Sequence, residues 1–167
     1  MGLFNLFKKK EGMPSLSVPD DAIVAMADGQ MIDVANVSDP VFAEKMMGES
    51  TAFVYNTDKA VICSPANGTH SVLFPGGHAF GVTMHNGTEL MVHIGINTVE
   101  ANGEGFKLLG KKQGDTVHAG EPIVEADLKK LGEKYELPVM LIVTNSDSHK
   151  VQFVAPCNVK AGQKVNL

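Results

Sequence analysis

The chain has 167 residues, 44% of them hydrophobic and 20% charged, with a formal net charge of -5. Those proportions suit one ordinary core in one domain, and an acidic chain with no basic cluster beyond its first ten residues excludes a nucleic-acid surface. No apolar run is long enough to cross a membrane as a helix, and Cys63 and Cys157 form no Cys-x-x-Cys element, which is the usage of a reduced cytosolic chain.

In chain order, Leu3, Phe4, Leu6 and Phe7 recur at helical spacing beside Lys8, Lys9 and Lys10. Residues 1 to 10 therefore read either as a short amphipathic helix at an anionic membrane surface or as a tail. The positive charge follows the apolar patch, the reverse of a secretory signal peptide. Leu6 stands where an N-myristoylation signal needs Ser or Thr. Residues 11 to 19, with Pro14 and Pro19, read as linker.

From residue 21 onward, short apolar runs alternate with turn signals. Ala27-Asp28-Gly29, Ala66-Asn67-Gly68 and Ala101-Asn102-Gly103 repeat one turn signature. Many short antiparallel strands result, and the fold class is all-β, a β-sandwich or distorted barrel. Two brief helical turns interrupt it: one with Asp39 as N-cap and Pro40 at the first helical position, the other after Asp127, carrying Leu128 and Leu131. Asn67-Gly68-Thr69 and Asn86-Gly87-Thr88 match a glycosylation sequon but read better as turns. Gly105 to Lys111 imitates a phosphate-binding loop, yet Lys112 occupies the Ser/Thr position and bulky residues fill its middle. Gly114 to Pro122 resembles the turn segments of lipoyl-type β domains without offering a lysine to modify.

The most informative stretch is a hairpin, residues 78 to 96, centred on Asn86-Gly87. A two-residue loop sets His85 opposite Thr88 and Gly95 opposite His78. His93 then falls diagonally from His78 on the same face, with Cβ atoms roughly 7 to 8 Å apart, while Gly95 leaves the space between them open. An odd-length loop would put the two histidines on opposite faces. His70, His118 and His149 are assigned to loops.

His93 lies in an otherwise apolar strand, so desolvation favours its neutral form, which has one free nitrogen lone pair. If the other nitrogen donates to a backbone carbonyl near Gly95, the free nitrogen is aimed outward as a nucleophile. Metal ligation is the rival use: His78 and His93 could share zinc with a partner carboxylate, although two ligands fall short of a structural site and no metal is required.

Val41 to Gly48, His78-Ala79-Phe80, Glu89 to Gly95, Thr98-Val99 and Gly103 to Phe106 together resemble the glucose-class enzyme IIA of the bacterial phosphoenolpyruvate-dependent sugar phosphotransferase system. The resemblance covers nearly the whole chain. It implies that residues 20 to 167 form the enzyme IIA domain after a tail of residues 1 to 19. It also implies that His93 accepts a phosphoryl group on Nε2 from the histidine-containing phosphocarrier protein, and that His78 stabilises it. The group then passes to the IIB domain of a sugar permease, without a cofactor. Gly95 and Thr98 are supporting residues, and Asp39 matches an acidic residue that faces an arginine on the partner. Val41, Phe42, Met46, Met47, Phe74 and Val99 are candidates for a shallow apolar docking surface, which regulatory targets could share. The expected location is cytoplasmic, with a peripheral contact at the inner face of the membrane.

The chain departs from the family pattern at Gly76, where a threonine usually orients the assisting histidine, and at Asn97, where an aspartate is usual. Two rivals stay open. One is a zinc peptidase of related β fold, which would need a second histidine where Gly95 stands. The other is a regulatory module that docks but relays nothing.

Overall fold

The computed structural model describes residues 17–167, so the amphipathic segment expected at residues 1 to 10 lies outside the described residues. Among the described residues, eleven strands form two antiparallel sheets. They are β1 Gly29–Ile32, β2 Glu49–Val54, β3 Lys59–Cys63, β4 Gly68–Leu73, β5 Ala79–Met84, β6 Glu89–Ile94, β7 Phe106–Leu108, β8 Thr116–Val117, β9 Pro122–Asp127, β10 Val139–Val143 and β11 Asn158–Val159. The larger sheet runs β11-β1-β2-β10-β6-β5-β4-β8 and the smaller β3-β9-β7. The order leaves open edges, so the fold is a sandwich and not a closed barrel.

The central strand explains how the site is placed. All five residues of β10, Val139 to Val143, are buried, because this strand is covered on both faces. Val139, Leu141 and Val143 point into the main core, with Phe53, Phe80 and Val92 from the same sheet and Ile62, Val124 and Ala126 from the smaller one. Met140 and Ile142 point the other way, into a second cluster with Val34, Val37, Phe42, Ala52 and Ile96. His93 pairs with Met140. Directly opposed residues share a face, so His93 is on the outer side, over the second cluster and away from the main core.

Both expected helical turns are present, and both begin where a carboxylate takes up a free N–H. In α1, Pro40–Ala43, Asp39 accepts from Val41 N–H; in α2, Leu128–Leu131, Asp127 accepts from Lys130 N–H. The Gly105 to Lys111 stretch is not a phosphate loop: Phe106 to Leu108 form β7.

The hairpin register differs from the sequence expectation. Ala79 lies opposite His93 and Phe80 opposite Val92, one residue removed from the predicted pairing. The loop has three residues, not two: Met84 N–H donates to Thr88 O at 2.8 Å, Gly87 N–H to Met84 O at 3.0 Å, and Gly87 takes φ +89°. That is a three-residue hairpin ending in a left-handed glycine. The register obeys side-chain alternation, since it puts Phe80, Val82 and Met84 on the same face as Leu90, Val92 and Ile94, all in the main core. The expected pairing would have set Phe80 against His93.

His70 is also corrected. It is not in a loop but in β4, wholly buried, with its ring edge-on to Phe80 and neither ring nitrogen hydrogen-bonded among the described residues.

Candidate functional site

In the observed register His78 lies opposite Ile94, whose N–H donates to His78 O at 2.7 Å. Strict alternation would send the His78 side chain inward with Phe80. It does not follow alternation because β5 begins only at Ala79. The preceding turn, closed by Gly77 N–H to Phe74 O at 2.9 Å with Gly77 at φ +83°, takes the chain out of the pleat. The two imidazoles therefore come together by a different route from the one the sequence suggested: their ring centroids are 5.3 Å apart, nearly perpendicular. Phe74 flanks His78 at 5.1 Å, and Phe42 flanks His93 at 5.0 Å.

The expected bond from His93 to the chain near Gly95 is present, Nδ1 to Gly95 O at 2.8 Å. A carbonyl oxygen only accepts, so Nδ1 carries the hydrogen and Nε2 the lone pair. Burial holds the His93 pKa below the ordinary imidazole range. The Gly95 bond and the charge of Asp39 oppose that shift, and the neighbouring His78 reinforces it. Burial lowers His78 as well. Near neutral pH both rings are uncharged, and His93 has the form a nucleophile needs.

Gly95 acts differently from the sequence expectation. It is not across from His78; it adopts φ +79°, and a Cβ there would stand 2.6 Å from Thr98 Cγ2. Its N–H donates to Pro138 O at 2.9 Å, which fixes the carbonyl that His93 uses. Thr98 is buried and gives its hydroxyl to Ile94 O, bracing the turn after β6 from below.

Of the apolar docking candidates, Val41, Met46, Met47, Phe74 and Val99 are exposed, whereas Phe42 is buried. Phe42 therefore forms a floor beneath His93, within the second cluster. Sequence reasoning overlooked Leu108, an exposed residue whose Cδ2 would lie 3.3 Å from a Cβ on Gly77. Its signal was the Phe106-x-Leu108 alternation. Among the described residues no group of three or more His, Cys, Asp or Glu side chains converges as a metal site, so the histidine pair alone supplies two ligands. No helix among the described residues is long and apolar enough to cross a membrane.

Phosphotransferases that work through phosphohistidine are the class to which the family match assigns this sandwich. The family model described as phosphoenolpyruvate-dependent sugar phosphotransferase system, EIIA 1, matches residues 21–149. The glucose-specific EIIA component of Staphylococcus aureus strain COL is 38% identical over 143 residues, which is 85% of this chain and 84% of that protein. Its counterpart in Staphylococcus epidermidis is 36% identical with the same coverage. The glucose permease IIA from Mycoplasma capricolum superimposes with a TM-score of 0.78 at 31% identity, over 87% of this chain and 93% of that one. The chain belongs to the EIIA 1 family and is a phosphocarrier component of a sugar phosphotransferase system. The zinc peptidase reading finds no support.

Proposed function

We propose that His93 Nε2 accepts the phosphoryl group from the histidine-containing phosphocarrier protein and passes it to the IIB domain of a sugar permease. The observation that carries this reading is the Nδ1 to Gly95 O bond at 2.8 Å, which reserves Nε2 for bond formation. In the first half-reaction the P–N bond to Nε2 forms as the donor's P–N bond breaks; in the second the group leaves Nε2 for the IIB side chain. Such transfers need alignment and donors for the equatorial oxygens more than covalent machinery. His78, with one N–H and its ring 5.3 Å from that of His93, supplies a donor.

Partners dock on the exposed apolar side chains Val41, Met46, Met47, Phe74 and Val99, and Asp39 faces a basic group on the partner. Asp39 is already aligned by its cap bond to Val41 N–H. The staphylococcal relatives are named for glucose, which favours a glucose-class permease as the recipient. Incubation with phosphoenolpyruvate, enzyme I and the phosphocarrier protein, read by intact mass, tests the reading. One acid-labile phosphoryl group is expected, lost in His93→Ala; label that persists in that variant overturns the assignment.

A further inference from the structure

Three Asn-Gly pairs occur in the sequence, Asn67-Gly68, Asn86-Gly87 and Asn102-Gly103, and phosphoryl transfer uses none of them. Such a pair can react with itself. The glycine backbone nitrogen attacks the asparagine side-chain carbonyl carbon; the N–Cγ bond forms, the Cγ–Nδ2 bond breaks, and the glycine amide proton leaves with the nitrogen as ammonia. Water then opens the cyclic imide to aspartate or isoaspartate. Glycine permits the attack because no Cβ shields its nitrogen or restricts the rotation that closes the ring. The reaction further requires an asparagine side chain and a glycine N–H that are not held by other hydrogen bonds, in a turn that can open.

The three pairs share a dipeptide but differ in surroundings. Asn67 is buried, its Nδ2 donates to Val18 O and Asp20 Oδ1 at 3.1 Å each, and its Oδ1 accepts from Ala119 N–H at 2.8 Å. Asn86 is exposed, but its Oδ1 accepts from Thr88 N–H at 3.0 Å and Gly87 N–H is held by Met84 O at 3.0 Å. Asn102 is exposed. Among the described residues its side chain makes no hydrogen bond, and Gly103 N–H donates none.

Asn102 is also left-handed, at φ 51° and ψ 39°, a conformation that an L residue holds at a cost. Ring closure needs ψ to rotate away from that value. The bonds given up are Asn102 N–H to Val99 O at 3.2 Å and Glu104 N–H to Ala101 O at 3.0 Å, both within one surface turn.

We infer that Asn102 is the preferred site of spontaneous deamidation in the folded protein, with Asn86 slower and Asn67 protected. The product sets a carboxylate, and for isoaspartate an extra backbone methylene, in the turn that packs on Gly76. A Cβ on Gly76 would lie 3.4 Å from Gly103 N, and His78 is two residues further along. The inference does not depend on the phosphoryl relay.

The test is incubation of the full chain at mildly alkaline pH, with and without urea, followed by peptide mass mapping for exchange of NH2 by OH and by enzymatic methylation of isoaspartyl groups. In the folded protein the Asn102 peptide should carry most of the early product and the Asn67 peptide none, a ranking that urea should erase. Faster conversion at Asn86 or Asn67 in the folded protein, or equal conversion of all three without urea, overturns the inference. Asn102→Gln should remove most of the early product; its persistence in that variant would also overturn it.

Discussion

Gly95 presents its carbonyl oxygen to His93 Nδ1 at 2.8 Å from a left-handed backbone, φ +79°. The tautomer of the His93 ring thus depends on a conformation that side chains resist. In Gly95→Ala the new Cβ would meet Thr98 Cγ2 at 2.6 Å and Leu137 Cδ2 at 3.0 Å. A loss of about 1–3 kcal/mol in stability is expected, together with slower phosphorylation in the molecules that remain folded. Urea titration and mass-read phosphorylation of the same sample check both; normal phosphorylation in a destabilised but folded variant would free the His93 tautomer from Gly95.

His78→Gln should keep acceptance of the phosphoryl group and lose its onward transfer, because glutamine donates a hydrogen bond but cannot take imidazole's charge states. Rapid-quench measurement of the two half-reactions separates these steps. Equal loss of both in a folded protein would make His78 structural.

Gly76→Thr is expected to speed exchange with a IIB domain. Gly76 lies outside the left-handed region, and a Cβ there would have ordinary contacts, 3.4 Å to Gly103 N and 3.7 Å to His78 Nδ1. A threonine hydroxyl would therefore come within reach of a ring that makes no hydrogen bond among the described residues. The check is the exchange rate with purified IIB; a rate at or below that of the parent would show that His78 needs no such partner.

Met46 is 69% exposed, so Met46→Asp should leave the melting transition in place. Charge in an apolar contact should weaken phosphocarrier binding by about 1–2 kcal/mol, roughly tenfold. Calorimetric titration measures this. A cooperative loss of fold would return Met46 to the core.

Stability should fall with acid. His70, His78 and His93 all have pKa values lowered chiefly by burial; for His70, Asp115 opposes the shift and Lys111 adds to it. The unfolded chain takes up protons below about pH 6.5 while the folded chain does not. Stability is therefore complete above that pH and declines as pH drops from there through the lowered folded values. The slope is at most about 1.4 kcal/mol per pH unit for each group. His70→Leu should flatten the decline, as read from urea midpoints across pH; an unchanged slope would remove His70 from the account.

Much of this was legible in the sequence because it is enforced locally. Asp39-Pro40 and Asp127 begin their helical turns since a short carboxylate reaches an N–H two or three residues ahead. The bond from His93 to Gly95 spans two residues, and the expectation that the His78 and His93 rings meet holds in the structure. The hairpin register was partly legible too, but in a different signal: the Asn-Gly dipeptide suited a two-residue loop, while the alternation of Phe80, Val82 and Met84 with Leu90, Val92 and Ile94 already called for an odd-length loop, as found.

Other features were decided only by tertiary structure, because they depend on which distant segments are brought together. Burial of His70 follows from its place in β4, between β5 and β8. Phe42 became the floor of the site because α1 packs over Met140 and Ile142, on the outer face of β10. Nothing in a dipeptide distinguishes Asn102 from Asn67. Hydrogen bonds to Val18, Asp20 and Ala119 hold one, and the other, in a surface turn beside Gly76, has no side-chain hydrogen bond among the described residues. Local dihedral and hydrogen-bond preferences act over a few residues and are readable one by one, whereas burial and contact between remote segments exist only once the whole sheet has closed on its core.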